Sequence, residues 1–158
     1  MGREVRMVPK DWQHPMEDGR YIAQFEGVRY KDDLAEWNQE NAKWSQGVYP
    51  SYADENDKKM SYSEWAGDQP KQKDYMPAWA DSEKTHFMMY EDTSEGTPIS
   101  PAFETAEELA RWLADTGASS FGSSTATYEQ WLATIKRGWA CSAVVDASGM
   151  RSGVEALG

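Results

Sequence analysis

The sequence lacks the features of a disulfide-stabilised, secreted or membrane-spanning protein. Its one cysteine, Cys141, excludes an internal disulfide. No apolar run approaches the roughly 18 residues of a transmembrane helix. The N-terminal stretch MGREVRMVPKDW has no apolar core of a secretory signal. We therefore expect no contact with membranes and a location in the cytoplasm.

Basic residues are also scarce. The chain has 158 residues, with 16 Lys and Arg against 27 Asp and Glu, and a net charge of −11. Nucleic acids are bound mainly through Lys and Arg, so direct nucleic-acid binding is not expected. An acidic balance favours solubility, a basic partner protein, or imitation of nucleic acid. General acidity without any such role is the alternative.

Apolar residues are sparse, but aromatic ones are not. A mean hydropathy of −0.82 is typical of disordered chains. The 8 Trp, 8 Tyr and 4 Phe are not, because disordered segments are poor in aromatic residues. We predict a folded protein with an aromatic-rich core, and further rings in a groove or contact surface.

Hydrophobic periodicity predicts the order β, β, α, an irregular stretch, β, α, α, β. The predicted strands are 3–9, 20–25, 85–92 and 140–146, and the predicted helices are 31–44, 105–117 and 127–138. Because strands and helices are segregated, we predict an α+β fold, with a small mainly antiparallel sheet packed against about three helices. The first strand, ended by Pro9, is expected at the sheet edge. Residues 1–158 are expected to form one domain, with an irregular insertion or lid at about 48–80 and a loose tail at about 147–158.

Two helices begin with the same pattern. Thr105 with Glu108, and Thr127 with Gln130, have the spacing of a capping box. In the first predicted helix Leu34, Trp37 and Trp44 share one stripe, which indicates core packing ahead of a recognition surface.

Residues with metal-binding or nucleophilic chemistry are few. His14 and His86 lie far apart in the chain, and no CxxC, HExxH or EF-hand spacing occurs. We predict no metal and no cofactor. Cys141 lies in an apolar stretch, where cysteine is usually an inert small hydrophobe. An enzyme that pairs Cys141 with a histidine is therefore the least favoured hypothesis, and we expect no catalytic residue.

Two loops rich in Ser, Thr and Gly flank the helix at 105–117. Backbone N–H groups and hydroxyls before a helix can bind anions. The alternative is that these residues only cap the next helix. The candidate ligands for a nucleotide-like small molecule are Ser94, Thr97, Ser100, Ser119, Ser120, Ser123, Ser124 and Thr125.

The first of these loops is also acidic. Between Lys84 and Arg111 the sequence has no lysine or arginine. Such a surface attracts a basic protein, although acids at a helix start also occur for structural reasons. The candidate partner-binding residues are Glu91, Asp92, Glu95, Glu104, Glu107 and Glu108.

The stretches YEDTSEGTPISPAFETAEELARWLADTGASSFGSSTATYEQWL, GWACSAVV, SGVEAL and RMVPKDWQHPMEDGRYIAQF resemble a family of small uncharacterised bacteriophage accessory proteins. The resemblance covers most of the chain, with 48–80 as its weakest part. It implies a phage protein in the cytoplasm of an infected bacterium. The family has no established activity, so the resemblance assigns no functional residues.

Together these observations favour a non-catalytic phage protein that counters host defence by binding a host protein through an acidic, aromatic-rich surface. A binder or sponge of a nucleotide signal is the first alternative, and a small enzyme is the second. Association with further copies of the chain is left open.

Overall fold

The computed structural model describes residues 2–92 and 96–158. Backbone contacts divide the chain into two compact units. We call Met1–Gln24 with Trp79–Gly158 the sheet unit, and Phe25–Ala78 the aromatic unit. In chain order the elements are β1 (Arg3–Val8), β2 (Met16–Glu17), β3 (Arg20–Tyr21), α1 (Tyr30–Ser45), α2 (Tyr62–Ala66), β4 (His86–Glu91), α3 (Ala106–Asp115), α4 (Tyr128–Arg137), β5 (Trp139–Ala140), β6 (Ala143–Asp146), β7 (Gly149–Ser152) and α5 (Gly153–Leu157).

The main sheet has the order β4-β1-β5 and is antiparallel. Arg3 pairs with Glu91 and Val8 with His86, so β1 and β4 match over their full length. On its other side β1 pairs with β5, where Arg3 faces Ala140. The prediction that the first strand lies at the edge is therefore wrong. The second neighbour of β1 is β5, which is two residues long and lies near the other end of the sequence.

The segment 97–103 runs along the other side of β4. Phe103 and Phe87 exchange two backbone hydrogen bonds of 2.7 and 2.8 Å, and the Ile99 N–H donates to the Met89 carbonyl at 2.8 Å. β4 thus has backbone partners on both sides. Three successive residues of β4 are also buried, so both of its faces are covered, in agreement with its apolar sequence.

Two small hairpins complete the strands among residues 2–92 and 96–158. β2 and β3 are joined by Asp18 and Gly19, which both have positive φ, as a two-residue hairpin turn requires. The predicted strand 20–25 is thus shorter than expected. The predicted strand 140–146 is divided between β5 and β6.

The C-terminal residues are ordered, in contrast to the predicted loose tail. β7 pairs with β6, and α5 begins at a capping box formed by Ser152 and Glu155. Val154 is fully buried. Together with a hydrogen bond of 2.8 Å from Arg137 to the Leu157 carbonyl, this burial docks the segment onto α4.

The core of the sheet unit lies between β4, α3, α4 and α5. Its buried members are Met89, Leu109, Ala110, Leu113, Trp131, Ile135, Ala140 and Val154. Both predicted capping boxes are confirmed, at Thr105 with Glu108 and at Thr127 with Gln130. The α+β fold with small antiparallel sheets is confirmed.

The aromatic unit is held by ring contacts around α1 and α2. Trp44 stacks on Trp65, with ring centroids 4.7 Å apart, and packs edge-to-face on Tyr49 at 4.7 Å. The Trp44 indole also donates to the Met60 carbonyl at 2.9 Å. The stretch predicted to be irregular, 48–80, contains α2 and two short 3-10 turns at 57–59 and 72–74. Its role as an insertion or lid stays a prediction.

Candidate functional site

A groove of about 820 Å³ opens on the sheet unit beside α3. It combines aromatic, acidic and basic side chains from β4, α3, the start of α4 and the segments before α3. Its lining residues are Lys10, His86, Ala102, Phe103, Glu104, Glu107, Glu108, Arg111, Trp112, Asp115, Thr116 and Tyr128. We call it the acidic groove.

The apolar part of the acidic groove is continuous with the core. Phe103, Trp112 and Tyr128 are partly buried and pack against the buried cluster from outside. The rings of Phe103 and Trp112 lie 6.1 Å apart. The guanidinium of Arg111 lies 4.0 Å from the centre of the Tyr128 ring. The groove therefore has a supported aromatic floor that already binds one cation through a ring face.

Four carboxylates surround this floor, those of Glu104, Glu107, Glu108 and Asp115. Glu108 also has a structural role, because it completes the capping box with Thr105. Glu104 and Glu107 are exposed. The acidic groove thus has four acidic residues against two basic ones, Arg111 and Lys10.

A second groove, of about 590 Å³, lies next to the first. Lys10, Ala102 and Trp112 line both. The remaining lining residues are mostly aromatic or aliphatic and include no Asp or Glu: Trp12, Gln13, His14, Met16, Tyr21, Met88, Pro98, Ile99, Ser100 and Pro101. We call it the apolar groove.

A buried polar network stands behind the apolar groove. His14 Nε2 lies 2.6 Å from the carbonyl of Ile22, so this nitrogen bears the hydrogen. Its Nδ1 then accepts from the Tyr90 hydroxyl at 3.0 Å, and that hydroxyl accepts from the Trp12 indole at 3.1 Å. Burial lowers the pKa of His14, and nearby Arg6 lowers it further, although the bond to Ile22 opposes this. Neutral His14 therefore uses both ring nitrogens inside the protein.

Tyr90 is the centre of that network. It is fully buried, and burial raises its pKa to about 12. The Arg6 guanidinium lies over its ring at 4.4 Å, and also donates to the Gln24 carbonyl and pairs with Glu4 at 2.7 Å. These contacts fix the wall of the apolar groove from inside.

The predicted partner-binding acids are split between two places. Glu104, Glu107 and Glu108 line the acidic groove with His86, at the start of β4. Glu91 ends the same strand, about 17 Å away at the usual rise per residue. Glu91 lies 3.5 Å from Arg3, and Asp92 accepts from the Gly2 N–H at 2.8 Å. Glu95 lies outside the described residues.

Two of the predicted ligand-binding residues in the first loop lie beside β4, and each forms a hydrogen bond with its backbone. The Ser100 hydroxyl accepts from the Met89 N–H at 2.9 Å and donates to the Pro101 carbonyl at 2.8 Å. The Thr97 carbonyl accepts from the Glu91 N–H. Ser94 lies outside the described residues.

The second serine loop is held together by hydrogen bonds between its own residues. Ser119 donates to the Gly122 carbonyl at 2.6 Å, and Ser120 and Ser124 are joined by a backbone hydrogen bond. The buried guanidinium of Arg3 donates to the Ser119 carbonyl at 2.9 Å. Ser123 and Thr125 are exposed. The two serine loops do not share a groove among those described here, since Ser100 lines the apolar groove and residues 119–125 line neither.

Catalytic and metal-binding arrangements find little geometric support. The Cys141 thiol has a long contact of 3.9 Å with the Ala143 carbonyl, and His14 has both nitrogens engaged. Within residues 2–92 and 96–158, no group of three or more His, Cys, Asp and Glu side chains could hold a metal ion. In the same part of the chain, no helix is long and apolar enough to cross a membrane.

Sequence reasoning did not identify Lys10, Arg111, Trp112 and Tyr128 as site residues. Trp112 and Tyr128 lie in helices and are partly buried against the core, so they are hard to distinguish from ordinary core residues. Arg111, one residue before Trp112, was the available signal. An arginine directly before a partly buried aromatic residue in a helix indicates that both residues lie at the border between the buried and the exposed side of that helix.

Comparisons with protein-family models, with curated proteins and with solved structures gave no match.

Proposed function

We propose that the protein is a non-catalytic binding protein whose acidic groove receives a basic surface of another protein. The observation that supports this is the combination of an aromatic floor at Phe103, Trp112 and Tyr128 with a rim of four carboxylates. Aromatic anchors inside a charged rim are the usual composition of a specific interface. The net charge of −11 increases attraction to a basic partner at longer range.

The biological setting of this proposal comes from the sequence resemblance to bacteriophage accessory proteins. We propose that the partner is a protein of the bacterial host and that binding counters a host defence. The site of action is then the cytoplasm of the infected cell.

The nucleotide-binding alternative has less geometric support. The hydroxyls of Ser100 and Ser119 are engaged in internal hydrogen bonds. A ligand would have to replace those bonds, and leaving buried polar groups unpaired is costly. This alternative stays a prediction, and a co-purified ultraviolet-absorbing ligand would support it.

The proposal is tested by affinity purification from infected host cells, followed by binding measurements with the recovered protein. Glu104→Gln combined with Glu107→Gln removes two exposed rim charges. We expect a roughly two- to thirtyfold loss of affinity, from the usual worth of exposed charge pairs. Binding should also weaken as salt is raised from 50 to 500 mM, because exposed charges are screened.

Glu36→Gln combined with Glu83→Gln is the matched control, since both residues are exposed and neither lines a described groove. It makes the same change in net charge. Equal losses in both double variants would show that only overall charge matters, and would contradict the assignment of the acidic groove. Salt-insensitive binding would contradict the role of charge.

A further inference from the structure

The two grooves form one path along the segment 98–104. Pro98, Ile99, Ser100 and Pro101 line the apolar groove, Phe103 and Glu104 line the acidic groove, and Ala102 lines both. Pro98 lies opposite Tyr90 and Phe103 opposite Phe87, so the segment runs beside four residues of β4, about 10 Å at the usual rise per residue. The path is therefore long enough for several residues of an extended peptide.

The two ends of the path differ in chemistry. Met16 is 54% and Tyr21 is 47% exposed, so the apolar groove presents open apolar surface. Among residues 2–92 and 96–158, no Asp or Glu lines that groove, whereas four acids line its neighbour. One end favours a desolvated side chain, and the other favours a cation.

We propose that this path binds an extended peptide segment with two anchors: an aliphatic or aromatic side chain in the apolar groove and a Lys or Arg side chain in the acidic groove. The two anchors lie within about three residues of each other, because both must fit along roughly 10 Å of extended chain. This inference rests on the proposed function and adds to it the kind of segment that the partner presents.

The position of Arg111 indicates how the cation is bound. Its guanidinium lies over the Tyr128 ring at 4.0 Å and 4.0 Å from the Asp115 carboxylate. The groove thus already holds an arginine between a ring face and an acid. The partner's cation binds from the side of Glu104 and Glu107, two exposed acids that line the same groove.

The test is selection of a displayed library of random linear twelve-residue peptides on the full chain. We expect enrichment of sequences with Lys or Arg one to three residues from Leu, Met, Phe or Trp. Enriched peptides are then synthesised and their affinities measured by fluorescence anisotropy. Replacing either anchor by alanine should weaken binding by about tenfold, the worth of burying one apolar side chain or pairing one charge well.

Two variants assign the anchors to their grooves. Met16→Glu should weaken the parent peptide by about tenfold and have little effect on the peptide without its apolar anchor. The double variant Glu104→Gln with Glu107→Gln should likewise weaken binding of the parent peptide and have little effect on the peptide without its basic anchor. Met16→Gln, which adds no charge, repeats the first measurement, and circular dichroism checks that each variant is folded.

Several results would overturn the inference. They are enrichment of sequences without the paired anchors, absence of any enrichment, and unchanged affinity in both Met16 variants. The proposed function fails separately, when a recovered host protein binds with equal affinity to the acidic-groove variant and to its charge-matched control. A host protein that needs Glu104 and Glu107 but not Met16 would support the function and overturn the two-anchor path.

Discussion

The sheet unit and the aromatic unit bury their side chains in different ways. In the sheet unit Met89, Leu109 and Leu113 are completely buried between strand and helices. In the aromatic unit rings contact one another over partly open surfaces, and Tyr52 remains 78% exposed while it stacks on Trp65. An aliphatic core needs full enclosure, whereas large rings gain from edge and face contacts even where water reaches one side. The low mean hydropathy of the chain is compatible with folding for this reason.

The largest effects are expected from breaking each unit at its centre. Leu113→Ala in the sheet unit should lower the free energy of unfolding by about 2–5 kcal/mol, and Trp44→Ala in the aromatic unit by about 3–5 kcal/mol. Urea denaturation measures the loss, and hydrogen exchange shows which amides lose protection. Tyr52→Ala is the control within the ring cluster, and should cost about 1 kcal/mol or less. A Trp44→Ala effect as small as that of Tyr52→Ala would contradict the view that ring contacts stabilise this unit.

A smaller difference is expected between two tyrosine hydroxyls, one in each unit. Tyr90→Phe leaves the buried His14 Nδ1 and the partly buried Trp12 N–H without their shared partner, and should cost about 1–3 kcal/mol. Tyr75→Phe removes a 2.7 Å hydrogen bond to the partly exposed Asp33, and should cost about 0.5–1.5 kcal/mol. Thermal and urea denaturation measure both.

The pKa values of these tyrosines give an independent measurement. Burial raises both to about 12, so neither should ionise at pH 10.5 in an ultraviolet titration of the folded protein. If Tyr90→Phe and Tyr75→Phe lower the free energy of unfolding equally, the buried network of Tyr90 contributes no more to stability than the single hydrogen bond of Tyr75.

The smallest expected effect is a dependence of stability on acid. The pKa of His14 is lowered in the folded state, so the unfolded chain binds the proton more readily. Stability is therefore present above the ordinary histidine pKa of about 6.5 and decreases as pH falls below it. The difference in unfolding free energy between pH 7.5 and 5.5 should be smaller in His14→Asn than in His86→Gln. Identical pH profiles in these two variants would exclude His14 as the source.

Local signals in the sequence predicted much of the sheet unit. The two threonine capping boxes and the apolar β4 follow from residues within a few positions of each other. Contacts between distant residues were not predictable in this way. β5 pairs with β1 across most of the chain, and His14 meets Tyr90 over 76 positions. Neither contact produces a periodic pattern in the sequence.

The aromatic unit and the site were less predictable for related reasons. Ring contacts among Trp44, Tyr49 and Trp65 join a helix to a loop and to α2, so they produce no regular spacing. Glu104, Glu107 and Glu108 were predicted from a run of acidic residues, whereas Asp115 of the same groove was not. Their separation from Glu91 depends on the length of β4, and the aromatic floor depends on which side of α3 faces the sheet.

The segment 97–103 has a consequence for colloidal behaviour. An exposed strand edge is a template on which another molecule can add its own strand, and proteins commonly block it with proline or a covering loop. β4 has such a cover, and it contains Pro98 and Pro101, which have no N–H to donate to an incoming strand. The segment 97–103 therefore covers this edge of the sheet. It protects the protein there against aggregation by pairing of exposed strands.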